Sequence, residues 1–89
     1  MPEFLWDDRP GGNVDKITAH GMDTITWEKV FEAATHFSQD KDDASVFAAE
    51  GRAHRHLYRI IYRVDDDDGI IPLAILPITG MPIKRHGLR

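Results

Sequence analysis

Apolar positions along the chain change their period several times, and each change marks an element. Glu3–Trp6 ("EFLW") is a short apolar, aromatic run closed by Asp7-Asp8 and then by Pro10-Gly11-Gly12. It reads as a first strand followed by a loop. Val14 and Ile17 then recur at helical spacing between Asn13, a good N-cap, and Gly21, a good C′ residue. The spacing predicts a short helix, "VDKITAH", which must dock on something larger to be stable. Asp23 caps a second helix, in which Trp27, Val30, Phe31 and Ala34 fall at i, i+3, i+4 and i+7. Ile25 and Phe37 flank that stripe, and the expected span is Thr24 to Thr35. Ser38–Ser45 ("SQDKDDAS") reads as a polar connector.

Beyond it the pattern is that of strands. "SVFAAEG" (Ser45–Gly51) is one, and "AHRHLYRIIYR" (Ala53–Arg63), running on to Val64, is the next. Arg55, Arg59 and Arg63 stand four apart, a spacing that places them on one face of either a helix or a strand. Tyr58, Ile60, Ile61, Tyr62 and Val64 decide for the strand, because aromatic and β-branched side chains suit a pleated surface. Gly51 and "DDDDG" (Asp65–Gly69) suit hairpins on either side. Arg55, Leu57, Arg59, Ile61 and Arg63 then share one face, with His54, His56, Tyr58, Ile60, Tyr62 and Val64 on the other. The aromatic face is expected against the helices and the arginines on an open face. Ile70–Thr79 is a last apolar run, which Pro72 and Pro77 restrict to an edge strand or an interrupted one.

The order implies an α+β fold, two N-terminal helices packed on an antiparallel sheet of about four strands. Residues 1–89 form one domain, with 82–89 a basic C-terminal tail. A chain this short hides only roughly 60–65% of its unfolded surface. No cysteine is present, which excludes a disulfide framework or a thiolate zinc site. No segment approaches the ~20 apolar residues of a membrane span, and the start lacks a basic n-region. The expectation is a soluble cytoplasmic domain.

Charge adds a second signal. The chain carries 15 acidic and 11 basic residues, a net −4. Residues 1–50 hold four Lys/Arg against eleven Asp/Glu, −7, whereas residues 51–89 hold seven against four, +3. A local basic field of this kind can attract a polyanion while the remaining surface repels it.

"WDDRPGGNVDKITAHGMDTITWEKVFEA" resembles the N-terminal half of the BrnT-like toxin family, through Trp6-Asp7, Asn13, Ile17, His20-Gly21, Asp23 and Val30-Phe31. "GRAHRHLYRIIYRVDDDDG" resembles the family's central hairpin, and "ILPIT" its last core strand. The resemblance implies a RelE-like fold, a type II toxin acting as a ribonuclease on RNA, and a small DNA-binding antitoxin as partner. The chain departs from the family at "ITGMPIKRHGLR", where toxin members have arginine and a basic helix. That departure displaces the basic side chains to Lys84, Arg85 and His86, and favours as the alternative a catalytically inactive relative that binds protein or RNA.

A metal-independent ribonuclease must move two protons and stabilise a phosphorane. Histidine titrates near ~6.5 and suits the proton transfers; arginine's fork matches phosphate. The catalytic candidates are His20, His56, Arg59 and Arg63, and the RNA-binding candidates Arg52, Arg55, Lys84 and Arg85. The competing readings are a capping role for His20 beside Gly21 and, for the arginines, pairing with the acidic half of the chain. His54 and His56 lack a third metal ligand, and "DDDDG" lacks the alternation of a calcium loop, so no metal or cofactor is expected. Trp27 and Phe31 are expected in the core.

Overall fold

The computed structural model describes residues 3–65 and 74–83. In chain order the elements are β1 (Glu3–Phe4), α1 (Asn13–Thr18), α2 (Thr24–Ala33), β2 (His36–Gln39), β3 (Val46–Ala53), β4 (His56–Asp65) and β5 (Ala74–Pro82). The strands form one sheet in the order β1-β5-β4-β3-β2, and α1 and α2 lie against the same face of it. The fold is α+β as expected, but the sheet has five strands and is mixed. β1 runs parallel to β5, Glu3 beside Ala74 and Phe4 beside Ile75. Most of the chain lies between these two strands, so no tight turn forces them antiparallel.

Capping follows expectation at Asp23 and at Gly21. Asp23 accepts a 2.7 Å bond from the Thr26 amide at the head of α2. At the end of α1, Met22 N–H returns to Ile17 O at 3.0 Å and Gly21 N–H to Thr18 O at 2.9 Å, a Schellman closure with Gly21 at positive φ. Asn13 differs from expectation. Gly12 is the N-cap, and the Asn13 side chain instead accepts from Asp7 N–H and donates to Leu5 O and Pro77 O. It ties the first strand, the loop and the last strand together.

Trp27, fully buried, anchors the core with Ile17, Val30, Ile60 and Ile75. Its ring meets those of Phe4, Trp6, Phe31 and Tyr62 at centroid distances of 5.5–6.1 Å, and its Nε1–H donates to Thr79 O at 3.1 Å. These rings are core, as the helical stripe predicts.

Two expectations are corrected. Phe37 and Ser38 belong to neither helix nor connector: they lie in β2, an edge strand exposed at every position. The hairpin between β3 and β4 turns at His54-Arg55, both at positive φ (53° and 69°), not at Gly51. Ala53 pairs with His56 across this two-residue loop, a type I′ geometry that asparagine and glycine adopt more readily. Gly51 instead lies within β3, where a Cβ would sit 2.6 Å from Val30 O; its hydrogen lets the end of α2 press onto the strand. β5 is an interrupted strand, one of the two forms expected of it. The β4–β5 register jumps between Ile61–Thr79 and Tyr62–Pro77, so Ile78 is the extra residue of a bulge.

The "ITGMP" segment has a structural role of its own. β5 continues through Gly80 and Met81 to Pro82. Gly80 is buried where a Cβ would meet Met22 Sδ at 2.7 Å, Trp27 Cδ1 at 3.0 Å and Ile60 Cγ2 at 3.2 Å. The expected turn over Asp65–Gly69 lies outside the described residues from 66 onward, as do Pro72 and the tail from 84.

Candidate functional site on the open sheet face

With both helices on one face, the other face of β2–β5 is uncovered by any described element. Strand alternation decides what it presents. β3 and β4 pair Arg52 with Leu57, Glu50 with Arg59, Ala48 with Ile61 and Val46 with Arg63. Ile60 and Tyr62, their alternates, are buried beneath α2, with Tyr58 and Val64 packed beside them. The two-faced reading of β4 is therefore correct from Leu57 onward, with the arginines outward. Arg55 leaves the row because it is part of the turn.

The outward arginines are paired. Arg59 Nη1 lies 3.2 Å from Glu50 Oε2, and Arg63 Nη2 lies 3.1 Å from Asp43 Oδ2. Both carboxylates come from the acidic first half of the chain. Asp43 is fixed by bonds from Ser45 Oγ (2.7 Å) and N–H (3.0 Å) to its other oxygen. Those two bonds, and Arg63 after them, hold its carboxyl below the usual carboxylate range. Both pairs are solvent-exposed, a setting in which water screens and weakens them, so an incoming phosphate can displace either carboxylate.

A histidine absent from the sequence-based candidates joins this face. His36 of β2 stands opposite Glu50, which stands opposite Arg59, which stands opposite Met81. His36, Glu50 and Arg59 line one shallow hollow of about 240 Å³ with Ser38 and Ala48. An adjoining hollow of about 250 Å³ continues past Arg59 to Ile61 and Val46. The Thr35 hydroxyl lies 3.0 Å from His36 Nδ1, which leaves Nε2 free to face solvent. No sequence period marks His36, because the strand that presents it is too short and too polar to show alternation.

The histidines expected to act are elsewhere. His20 is exposed, at the end of α1 on the helix side of the sheet, with its backbone N–H bonded to Ile17 O. His56 faces the same side, its ring edge-on to Tyr58 at 6.4 Å. Neither is brought to Arg59 and Arg63. Arg52 is exposed on the open face, and Lys84 and Arg85 lie outside the described residues. Among the described residues no three His, Asp or Glu side chains gather to hold a metal ion, and no described helix is long and apolar enough to cross a membrane. Set against known protein families, characterised proteins and solved structures, the chain matches none.

Proposed function

We propose that the open sheet face binds single-stranded RNA and cleaves it without a metal, as in the BrnT-like toxins that the sequence resembles, with a small DNA-binding antitoxin as the neutralising partner. The observation that carries this reading is the row His36–Glu50–Arg59, set in register across three strands and opening on one hollow. Arg59, freed from Glu50 by the incoming phosphate, holds a non-bridging oxygen through two parallel bonds. Glu50 then takes the proton from the 2′-hydroxyl, whose oxygen attacks phosphorus. His36 protonates the departing 5′-oxygen, leaving a 2′,3′-cyclic phosphate. Arg63 and Arg52 extend the cationic track along the strands for flanking phosphates.

The test is purified protein with single-stranded RNA in the presence of a chelator, assayed for cyclic-phosphate ends. Glu50→Gln and His36→Gln are each expected to lower the rate by about 10²-fold or more. Arg59→Ala is expected to lower both binding and rate. Cleavage that survives all three substitutions would remove this site.

A second reading is a binding face without turnover. It is favoured by the carboxylates that already occupy Arg59 and Arg63 and by the position of His20 and His56 across the sheet. It predicts salt-sensitive RNA binding with no products. Absence of both binding and cleavage, with no growth arrest on expression, would overturn both readings.

A further inference from the structure

β2 closes the sheet at one edge, and half of its backbone is bare. Asp40 N–H donates to Val46 O at 2.8 Å. In an antiparallel pair bonded and non-bonded residues alternate, so Ser38 and His36 also turn their N–H and C=O groups inward, to Ala48 and Glu50. Phe37 and Gln39 therefore point theirs out of the sheet. Among the described residues no strand pairs with them. Exposed edges are commonly guarded by proline, lysine or a bulge, and "HFSQ" has none of these. Phe37 instead leaves a large ring 58% exposed at that edge.

We infer that β2 pairs antiparallel with β2 of a second copy of this chain, about a two-fold axis passing beside Ser38. In this register outward-facing Phe37 meets outward-facing Gln39 of the second copy, and each pair exchanges both backbone bonds. The same register sets His36 opposite Asp40 of the second copy, on the open face, where non-bonded cross-strand neighbours come within about 4.5–5.5 Å. Asp40 is already held in place, its Oδ2 accepting from the amides of Asp42 and Asp43 at 3.0 Å. Lys41 and Thr35 face one another in turn. Sliding the pairing two residues toward the amino end sets Phe37 against itself and separates His36 from Asp40. Sliding it the other way carries the pairing past Gln39, where β2 ends. The register centred on Ser38 alone both bonds the outward backbone groups of Phe37 and Gln39 and sets His36 beside Asp40. It joins the two sheets into one and sets both His36–Glu50–Arg59 rows on one continuous face. The pairing does not depend on what that face binds.

A four-residue edge buries much less than the ~1,600 Å² of a standard interface, so the dimer is weak and concentration-dependent. Sedimentation equilibrium over a wide concentration range is expected to show the mass rising from 10.1 kDa toward twice that value. Over the same range, amide exchange at Phe37 and Gln39 slows, while Ser38, bonded inward in both states, is unchanged. Phe37→Pro deletes an N–H that the monomer leaves unbonded; it is expected to hold the chain at 10.1 kDa with its circular dichroism retained. His36→Asp, placing like charges together, weakens the dimer several-fold, whereas His36→Lys preserves it. A mass that stays at 10.1 kDa overturns the inference. So does a dimer in which Phe37 and Gln39 exchange as fast as in the monomer. If Phe37→Pro unfolds, the wild-type exchange pattern decides.

Discussion

The two faces of β4 are built from alternating residues of one strand, yet they answer to different physics. On the helix side, Ile60 and Tyr62 are buried beneath Trp27 and Phe31, the rings of Phe4, Trp6, Trp27, Phe31, Phe47 and Tyr62 form one cluster, and the Trp27 indole N–H has its acceptor. On the open side, Leu57 and Ile61 are half-buried only by their neighbours, and Arg59 and Arg63 are held by exposed carboxylates. Stability is concentrated on the first face. The second is left free to carry charge, because changing an exposed pair costs little of the free energy that holds the chain together.

The comparison is broken most severely at Trp27. Trp27→Ala removes the hub of the aromatic cluster and is expected to cost about 3–5 kcal/mol, enough to unfold much of so small a domain. Urea denaturation of the variant measures it. Gly51→Ala comes next: its new methyl meets the Val30 carbonyl and the Ala34 backbone, neither a flexible side chain, and about 1–3 kcal/mol is expected as a lowered urea midpoint.

A cap on the helix side gives a smaller effect with a pH signature. The Thr26 backbone N–H, before any charged neighbour, lowers the Asp23 carboxyl below its ordinary range. A pKa lower in the folded than in the unfolded chain contributes stability that is present above the unfolded value and lost as pH falls through the folded one. Asp23→Ala should cost about 1 kcal/mol at neutral pH, and the gap between variant and wild type should close in acid. Melting temperatures from pH 7 downward test this sign.

The smallest effect is expected on the open face. A double-mutant cycle on Glu50 and Arg59 should give a coupling of about 0.2–1 kcal/mol that shrinks with added salt. A value near that of a core substitution would contradict the division between the faces.

The sequence shows clearly those parts of the fold that rest on local chemistry. α2 is legible because Trp27, Val30 and Phe31 repeat at helical spacing over a long span, and its start because Asp23 can satisfy a bare amide. The inward residues of β4 are legible because tyrosine and isoleucine alternate with arginine. β2 is not, because an exposed edge strand has no buried face to impose alternation on His36–Gln39. That hid His36 from the candidate site as well. The turn at His54-Arg55 is not legible, because neither residue is the usual choice for positive φ and a glycine stands three residues away. Gly51 and Gly80 answer to contacts with α2 and with Trp27 that sequence spacing does not express. The parallel β1–β5 pair depends on residues about seventy positions apart, which only the assembled core brings together.

That same pair sets an order on how the chain can be completed at the ribosome. Synthesis delivers the N-terminal end first, at roughly 5–20 residues per second. β1 has no strand to lie beside until β5 has emerged, and Asn13 has no Pro77 carbonyl to hold. Phe4 and Trp6, which finish the ring cluster around Trp27, stay open to water through most of translation. β1 is therefore made well before it can find its place, and a nascent chain stalled before β5 would present Phe4 and Trp6 to chaperones.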